Sequence, residues 1–419
     1  MQKSNRTAEI NCTNSQTRYL AAIETLTNTT TLDYDLVIVG SGPAGATVAR
    51  FTAAAGLRVL LVDKRQELGA PIQCSGAVSR GALEETGVTP DAEFIHEAIY
   101  GFAVYNQDGA KTTIDYRALD PDKYGTAPGQ VPLGYVVDRR RFDRYLMTQA
   151  ERAGAETQLK TEALGYHPLP DGTCTVTLRH YNRERTVRTR VLVGADGLQS
   201  QVGKWAGLRT HIRLNELASC LQFVVDRVET EGLLEIVTGH EWAPGGYAWV
   251  FPKGYGYAEI GLGVIRTATD TTAQEQLDHF IQNSFFKTRF QDSRILEVQG
   301  GGVPLAAPLK KQFAQNVLLV GDAARHVNPI TGGGIHTALS GGMIAGKFLV
   351  RLFDQNQPAT EANLAGYQEL WLQKLGDKMW KLYHHKTDIF HEKEIATRDA
   401  RLFQTMSDYF QPDSEFKKI

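Results

Sequence analysis

Three glycines and one acid in the first part of the chain have the spacing of a nucleotide-binding turn. Gly40, Gly42 and Gly45 form a GxGxxG pattern, and Asp63 follows Gly40 by 23 residues. In such a pattern the first glycine allows a sharp turn, the second lets a pyrophosphate approach the backbone, and the third lets a helix pack closely on a strand. An acid about 20 residues further on accepts hydrogen bonds from a ribose. These residues therefore indicate dinucleotide binding.

The elements that must position these residues are visible on either side of them. Tyr34 to Val39 and Val59 to Val62 are short apolar runs typical of buried strands, and the segment between them is typical of a helix. The pattern predicts a strand, a turn, a helix and a second strand. Backbone N–H groups at the helix start would face the phosphates. This context favours a functional motif over an accidental glycine turn.

A second glycine-rich stretch lies far downstream, in residues 316–349. Val317 to Val320 reads as a buried strand, Asp322 follows it, and Gly332, Gly333 and Gly334 stand directly before a helical pattern. A helix N-terminus stabilises negative charge, such as that of a reduced flavin. A merely flexible glycine loop does not explain why the triplet lies directly before a helix.

Alternating aromatic residues mark a third stretch, residues 244–263. On a strand, the period of two places Tyr247, Trp249 and Phe251 on one face and Ala248 and Val250 on the other. Two interpretations stay open at this point. The three rings belong either to ordinary sheet packing or to the lining of a long apolar pocket.

Three further residues are candidates with an ordinary structural alternative. Cys74, beside Ser75 in the tight loop 68–79, is either a small buried hydrophobic residue or a group next to a cofactor. Asp196 follows a short strand in a glycine-bounded turn and is either a helix cap or a cofactor ligand. Arg139 begins a helix, where its guanidinium could reach a phosphate or a ribityl oxygen.

The bulk composition excludes several classes of protein. The 419 residues are 42% hydrophobic, which is enough for a large core in two or three lobes, and the net charge of −2 gives no general attraction for nucleic acid. The four cysteines are far apart and form no CxxC pair, which argues against a disulfide framework and against a metal site. No apolar run approaches the length of a membrane span. We therefore expect a cytoplasmic protein that binds neither nucleic acid nor metal.

The motifs together resemble a known family. The segments VGSGPAG, VDK, VDRRRFD, VGADG and LLVGDAARHVNPITGGG are similar to those of the p-hydroxybenzoate-hydroxylase-type FAD flavoproteins. Within that group, PIQCSG and YAWVFPKGYGYAEIGLG resemble the geranylgeranyl reductases, whose YxWxFP motif is followed by GxG, here Gly261 and Gly263. The resemblance covers residues 34–350.

This resemblance implies an α/β fold and a set of cofactor contacts. It implies a Rossmann-like FAD-binding domain with an inserted antiparallel-sheet substrate domain and C-terminal helices. It places Ala44 with the three glycines at the pyrophosphate, Asp63 at the adenosine ribose, Ala163 at the adenine, and Asp322 at the ribityl chain. The other implied cofactor residues are Cys74, Ser75, Arg139, Asp196, Gly332, Gly333, Gly334 and Ile335. The implied catalytic residues are Cys74, Tyr247 and Trp249, and Ala248 is expected to alter the pocket width.

The expected domain order follows from the same stretches. We expect a disordered tail at 1–32, a discontinuous FAD-binding domain at 33–95, 135–209 and 300–355, a substrate domain at 96–134 and 210–299, and a C-terminal helical region at 356–419. In that last region Trp371, Leu375, Met379 and Leu382 follow helical spacing. Lysines are interleaved with them, namely Lys374, Lys378, Lys381 and Lys386. Such a helix either packs on the core or rests peripherally on a membrane surface.

The implied activity is the saturation of isolated double bonds in geranylgeranyl chains of a lipid or a diphosphate. We expect a proton to reach one carbon while reduced FAD supplies hydride to its neighbour. The sequence has no second GxGxxG with strand context, so we expect no separate nicotinamide domain. NADPH and a ferredoxin-like or other external electron donor stay equally open. Two alternatives stay open: a flavin monooxygenase of an aromatic or prenyl-quinone substrate, and an electron-transfer flavoprotein that reduces a quinone.

Overall fold

The structure is a computed structural model that describes residues 31–119 and 131–418. Nearly all of the predicted tail lies outside the described residues. In chain order the strands are β1 (Tyr34–Val39), β2 (Val59–Val62), β3 (Ala77–Ser79), β4 (Ile95–Ile99), β5 (Gly101–Tyr105), β6 (Lys111–Asp115), β7 (Gly134–Val137), β8 (Glu156–Gln158), β9 (Thr161–Pro168), β10 (Cys174–His180), β11 (Arg183–Gly194), β12 (Leu217–Val225), β13 (Leu233–Thr238), β14 (Tyr247–Pro252), β15 (Ala258–Ile265), β16 (Ile295–Pro304), β17 (Phe313–Ala314) and β18 (Val317–Leu319).

The helices lie between some of these strands and after the last of them. They are α1 (Pro43–Ala54), α2 (Arg80–Glu85), α3 (Arg139–Arg152), α4 (Gln201–Trp205), α5 (Ala273–Asn283), α6 (Lys287–Phe290), α7 (Ile335–Asp354), α8 (Glu361–Trp371), α9 (Asp377–Phe390), α10 (Ile395–Phe410) and α11 (Glu415–Lys418). A short π-helical turn, Leu372–Gly376, joins α8 to α9.

The first sheet is the frame of the nucleotide-binding unit. Within the described residues it has eight strands. Five of them lie side by side in the order β18, β11, β1, β2 and β8, and each pairs in parallel with the next. Leu36 and Ile38 on β1 pack toward α1 and α7, whereas Val37 packs toward β10 and α4 on the other face. The carboxyl ends of β1 and β18 therefore lie at the same edge of the sheet, and the two glycine-rich stretches meet there.

The second sheet carries the aromatic strand. Its order over the described residues is β16, β12, β15, β14, β13, β5 and β6, and the pairs are antiparallel except for β13 with β5. One face packs on α5 and α6 around Phe280, while the other face looks toward α9 and α10. This is the mixed α/β architecture, with an inserted and mainly antiparallel sheet, that the motifs predict.

The exact domain boundaries remain a prediction, but three strands bear on them. β16 pairs with β12 as far as Pro304, so this strand continues past residue 299 within the second sheet. β4 and β7 instead form a small three-stranded sheet with β3. Residues 96–134 are thus divided between two sheets wherever the structure describes them.

The C-terminal helices pack on the body of the protein. Trp371, Met379 and Leu382 are buried, which confirms the core-packing interpretation for this side of the helix. Phe410 of α10 stacks on Phe102 of β5 with ring centroids 3.9 Å apart. In the part of the chain that the structure describes, no helix is long and apolar enough to cross a membrane.

Candidate active site

The three glycines of the first turn have different surroundings. Gly40 has a φ of +102°, and a Cβ built on it would overlap the carbonyl of Ala195. A Cβ on Gly45 would overlap the carbonyl of Gly40. A Cβ on Gly42 would meet no protein atom within 4 Å, and Gly42 lines a cavity. Gly40 and Gly45 are therefore required by packing, whereas Gly42 leaves room for a ligand at the N-terminus of α1.

Asp63 is held by a neighbour that the sequence did not single out. Its carboxylate accepts hydrogen bonds from the Ser41 N–H at 3.0 Å, from the Ser41 hydroxyl at 2.6 Å, and from the guanidinium of Arg65 at 2.7 Å. Burial alone would raise the pKa of Asp63, but Arg65 and Ser41 outweigh it and lower the pKa to about 2. Arg65 also lines the cavity. It is thus a cofactor-site candidate, and a basic residue two positions after the acid was the available signal.

Two predicted cofactor residues have structural roles in this chain. Asp196 accepts hydrogen bonds from the Ser200 hydroxyl and from the backbone N–H groups of Gln201 and Val202, so its carboxylate caps α4. Ala163 is buried in β9 and is not among the residues lining the cavity. Their cofactor contacts remain predictions. The helix-cap alternative for Asp196 is the arrangement observed.

The second glycine-rich stretch forms a shaped loop. Asn328 Oδ1 accepts hydrogen bonds from the N–H groups of Ile330 and Thr331, and Asn328 Nδ2 donates to the Tyr409 hydroxyl at 2.8 Å. Gly332 has a φ of +66°, which favours glycine. The loop brings Gly332 to Gly334 to the N-terminus of α7, where they line the cavity.

Asp322 enters the same cavity from the end of β18. Burial raises its pKa to about 6, and the charge of Arg139 only partly opposes this. Within the described residues, Arg139 forms its ion pair with Asp143 and not with Asp322. Asp322 is therefore a partly buried carboxylate that lines the cavity and has acceptor capacity left unused by the described residues, which suits a ligand that offers hydroxyl groups.

Asp322→Asn is expected to stabilise the FAD-free protein at neutral pH. Because the folded-state pKa lies above the ordinary value of 3.8, the folded protein binds this proton more tightly, and stability falls as pH rises from about 4 to about 6. The asparagine carries no such penalty. Urea denaturation should give the variant about 1–3 kcal/mol more stability at pH 7.5 and no advantage at pH 3.5. An equal gain at both pH values would contradict the buried-carboxylate explanation.

Arg139 and Cys74 lie together at the start of α3. Arg139 Nε and an NH2 group donate to the Asp143 carboxylate, each at 3.1 Å. Burial would lower the pKa of Arg139, but Asp143 and Cys74 outweigh it and raise it. Cys74 is half-buried, and its Sγ accepts from the Gly76 N–H at 3.4 Å. Arg139 is thus a fixed cation beside the loop that carries Cys74.

Cys74 lies where two cavities meet. The larger has a volume of about 740 Å³, and the smaller, about 410 Å³, has several ionisable residues in its lining, among them His96, Asp138 and Lys253. Cys74 and Arg139 line both. The interpretation of Cys74 as an ordinary core residue therefore does not fit its position.

The aromatic strand faces the larger cavity. Tyr247, Trp249 and Phe251 lie on the cavity side of β14, with ring centroids 5.7 Å and 6.2 Å apart between successive rings. The predicted alternation is confirmed, because Ala248 and Val250 pack on the opposite face. The expectation that Ala248 alters the pocket width was wrong, since this residue points away from the cavity.

The hydroxyl of Tyr247 has a partner inside the protein. It donates a hydrogen bond to the carbonyl of Thr331 in the glycine-rich loop. Burial, with smaller contributions from Cys220 and Cys74, raises the pKa of Tyr247. The side chain therefore ties the second sheet to the loop and holds its proton firmly.

The glycines of the GxG motif make room for this wall. Gly261 pairs with Trp249 across β14 and β15, and a Cβ on Gly261 would lie 2.6 Å from the indole atoms Cε2 and Cζ2. A Cβ on Gly263 would lie 3.0 Å from Cys220 Sγ. A third glycine run, 300–302 on β16, also lines the cavity but was not assigned a role from the sequence, although the run itself was visible.

One continuous cavity joins most of the predicted site. It connects the N-terminus of α1 to the glycine-rich loop and then to the aromatic strand. The predicted residues that line it are Gly42, Ala44, Cys74, Ser75, Arg139, Tyr247, Trp249, Asp322, Gly332, Gly333, Gly334 and Ile335. The predicted residues that do not line this cavity are Gly40, Gly45, Asp63, Ala163 and Asp196. The extended shape, the open space at Gly42 and the acceptor Asp322 together fit a flavin dinucleotide.

Known proteins are similar to this chain in sequence. The FAD binding domain family matches residues 33–369. A digeranylgeranylglycerophospholipid reductase of Methanothrix thermoacetophila is 36% identical over 82% of this chain and 84% of its own length. One from Methanocaldococcus jannaschii is also 36% identical, over 81% and 83%. The chain belongs to the digeranylgeranylglycerophospholipid reductase family. It is an FAD-dependent oxidoreductase.

Solved structures agree with this family. A geranylgeranyl bacteriochlorophyll reductase-like protein of Thermoplasma acidophilum superposes with a TM-score of 0.78 and 28% identity, covering 91% of this chain and 97% of that one. A myxobacterial flavin-dependent halogenase gives a TM-score of 0.69 at 18% identity, over 91% and 92%. The halogenase shares the fold alone.

Proposed function

We propose that this reductase saturates isolated double bonds of geranylgeranyl chains on a lipid substrate. The observation that supports it most is the continuity of the cavity, which leads from the predicted flavin site directly to the wall of Tyr247, Trp249 and Phe251. A quinone-reducing electron-transfer flavoprotein does not need such an enclosed pocket of rings. The names of the relatives point to the same substrate class.

The aromatic wall has a specific task in this reaction. An isolated double bond carries no carbonyl to polarise it, so positive charge develops on carbon as a proton is added. Ring faces attract such charge most strongly when water is absent. Trp249 and Phe251 are almost completely buried, so they both hold the chain and keep water away.

Cys74 is the residue best placed to move the proton. Cys74 lines the smaller cavity, which contains ionisable residues, as well as the larger one, so its thiol can take up a proton on one side and present it to the substrate on the other. Tyr247 is less suited, because its hydroxyl donates to Thr331 and its pKa is raised. Cys220 is also less suited, because burial raises the pKa of its thiol to about 12.

The cofactor has a defined place in this scheme. When bound, reduced FAD supplies the hydride. Gly42 and Ala44 would hold the pyrophosphate, Asp322 the ribityl hydroxyls, and the N-terminus of α7 the ring that becomes negative on reduction. Arg65 would lie near the phosphates or the ribose, fixed by Asp63.

The test is an anaerobic turnover. Enzyme reduced with dithionite and then supplied with a geranylgeranyl-bearing glycerophospholipid should return to the oxidised flavin spectrum, and the lipid mass should rise by pairs of hydrogens. Persistently reduced flavin together with unchanged lipid would sink the proposal. Oxygen-dependent consumption of NADPH with a mass gain of oxygen would favour the monooxygenase instead.

Two partners complete the proposal. The electron donor is external, either NADPH or a ferredoxin-like protein, and flavin bleaching by each donor under nitrogen would identify it. Peripheral contact with a membrane is supported by exposed apolar residues on the edge strand β16, namely Ile295, Leu296 and Val298. Co-sedimentation with lipid vesicles tests this contact, and protein remaining in the supernatant would argue against it.

A further inference from the structure

One buried histidine has no part in the proposed reaction, although it lies directly beside the cofactor side of the cavity. His326 follows a short helical turn, Gly321–Ala324, which carries Asp322 (the Asp322 turn). Gly321 and Asp322 line the cavity, whereas His326 does not. The imidazole is completely buried. It can therefore act on a cofactor only through the residues that it contacts.

His326 binds both backbone groups of Gly321. The Gly321 N–H donates to His326 Nδ1 at 3.2 Å, and the His326 N–H donates to the Gly321 carbonyl at 3.0 Å. Gly321 has a φ of +63°, and a Cβ on it would lie 2.9 Å from the Cβ of Ala44 in α1. The first residue of the Asp322 turn is thus held between His326 and the helix of the first glycine motif.

The second ring nitrogen fixes the tautomer of His326. Its Nε2 lies 3.0 Å from Oε1 of Gln312, a side chain that is also completely buried. Burial lowers the pKa of His326 to about 3, so the ring is neutral and carries a single hydrogen. Because Nδ1 accepts from Gly321, this hydrogen belongs to Nε2, which donates to Gln312. The ring therefore joins an acceptor and a donor in fixed positions, which no aliphatic side chain can do.

Groups on two helices hold the imidazole in place. Its ring stacks on Trp371 of α8, with centroids 4.4 Å apart and planes inclined by 14°. On α7, a Cβ on Gly341 would lie 2.8 Å from His326 Nδ1, so the helix has room for the ring because residue 341 is glycine. Thr337, also on α7, donates to the His326 carbonyl. His326 thus connects the Asp322 turn to α7 and α8.

The position of Asp322 in the cavity depends on this framework. A Cβ on Gly334, the residue directly before α7, would lie 3.5 Å from Asp322 Oδ1. The carboxylate and the N-terminus of α7 therefore lie close together, and His326 contacts both of the segments that carry them. Groups that bind a cofactor must be held to within about 0.5 Å. Loss of the bond to Gly321 would free the backbone where the Asp322 turn begins and let the carboxylate move.

We propose that His326 is a positioning residue of the cofactor site, which fixes Asp322 for contact with the ribityl chain of FAD through its bond to Gly321. This inference rests on the proposed function in one respect, because it takes Asp322 as a flavin contact. A histidine that only filled the core would be replaceable by any side chain of similar volume. The hydrogen bond to Gly321 therefore separates positioning from packing.

FAD titration of the FAD-free protein, with no lipid present, tests this role. His326→Asn places a carbonyl oxygen where Nδ1 lies, so it can still accept from Gly321. His326→Leu fills the core but cannot accept. The FAD dissociation constant should rise at least about tenfold in His326→Leu and less than about threefold in His326→Asn. Equal losses in both variants, or unchanged affinity in His326→Leu, would overturn the proposal.

Trp371→Leu is the matched packing control. It removes the ring that stacks on the imidazole and leaves the bond to Gly321 in place. Thermal unfolding should occur at a lower temperature in this variant, while the FAD dissociation constant of the folded protein should change less than about threefold. A tenfold loss of FAD affinity here would show that packing, and not the bond to Gly321, is responsible.

A double-mutant cycle shows whether the effect passes through Asp322. Asp322→Ala alone should weaken FAD binding about tenfold. If His326 acts by placing this carboxylate, adding His326→Leu to Asp322→Ala should weaken binding by less than about threefold more. Fully additive losses would contradict the proposal. Normal FAD binding in Asp322→Ala would contradict it as well, because the turn would then have no contact to position.

The tautomer has a spectroscopic readout of its own. Nitrogen-15 spectra of the FAD-free protein with labelled histidines should contain the pattern of a neutral Nε2–H ring. This pattern should not titrate between about pH 5.5 and pH 8 and should be lost in His326→Asn. A hydrogen on Nδ1 would rule out the bond from Gly321. Variants that show the expected FAD affinities in an enzyme that reduces no prenyl chain would reject the proposed function and leave the role of His326 in place.

Discussion

Gly45→Ala is expected to yield a protein that neither folds stably nor retains FAD. The added methyl group would overlap the carbonyl of Gly40 and would lie 3.0 Å from the Cβ of Ala195, so α1 could not keep its present distance from β1. Overpacking of this kind costs about 3 kcal/mol or more when the obstacle is backbone. Thermal unfolding and the FAD content of the purified variant measure the effect.

Gly42→Ala provides the matched control. This residue has a φ of −66°, which alanine adopts readily, and its Cβ would meet no protein atom. The FAD-free variant should therefore be as stable as the wild type to within about 0.5 kcal/mol. Its FAD affinity should fall about tenfold, because the methyl group would occupy the space left for the pyrophosphate. If Gly42→Ala bound FAD normally, the predicted route of the cofactor past this turn would be wrong.

Trp249→Ala is expected to reduce kcat/KM for prenyl reduction by about 100-fold while FAD stays bound. The indole is buried in the wall of the cavity and is not part of the nucleotide-binding sheet. Its removal eliminates a ring face and lets the chain move, and a displacement of about 1 Å can cost such a factor. Steady-state reduction of the lipid, with flavin absorbance as the measure of bound cofactor, gives both quantities.

Two variants of the same strand control this experiment. Trp249→Phe keeps a ring against Gly261 and should retain most of the activity. Val250→Ala removes apolar volume from the opposite face of β14, so it should lower stability by about 2 kcal/mol and leave kcat/KM per folded enzyme unchanged. Activity that is indifferent to Trp249→Ala would favour the electron-transfer alternative over a reaction in this pocket.

Much of the cofactor side was predictable because its signals are local. The strand, turn and helix around Gly40 depend on a few adjacent residues, and β1 and β2 have the bounds that the apolar runs predict. The faces of Tyr247, Trp249 and Phe251 were predictable for the same reason, since the period of a strand fixes them. The residue-by-residue cofactor roles remain predictions. Several of these residues do line one cavity.

Other parts depended on side-chain contacts and on the position of the cavity, which the residue pattern alone does not specify. The carboxylate of Asp196 could cap a helix or meet a cofactor, and only the positions of Ser200 and Val202 show which groups it binds here. Arg65 was missed because its significance comes from its bond to Asp63 and its exposure to the cavity. Ala248 was misjudged because its effect depends on which face of the sheet the cavity occupies.

The sequence by itself determined that this chain binds a dinucleotide, that its glycine-rich loop precedes a helix, and that three rings share one face of a strand. These follow from backbone geometry and side-chain periodicity. The tertiary structure decided that the flavin side and the aromatic wall enclose one cavity, and that Lys378 and Lys386 face it while Lys374 and Lys381 face solvent. Helical spacing alone does not decide which lysines face the cavity, because all four are interleaved with the apolar residues Leu375, Met379 and Leu382. Only the packing of α9 against distant parts of the chain determines which two turn inward.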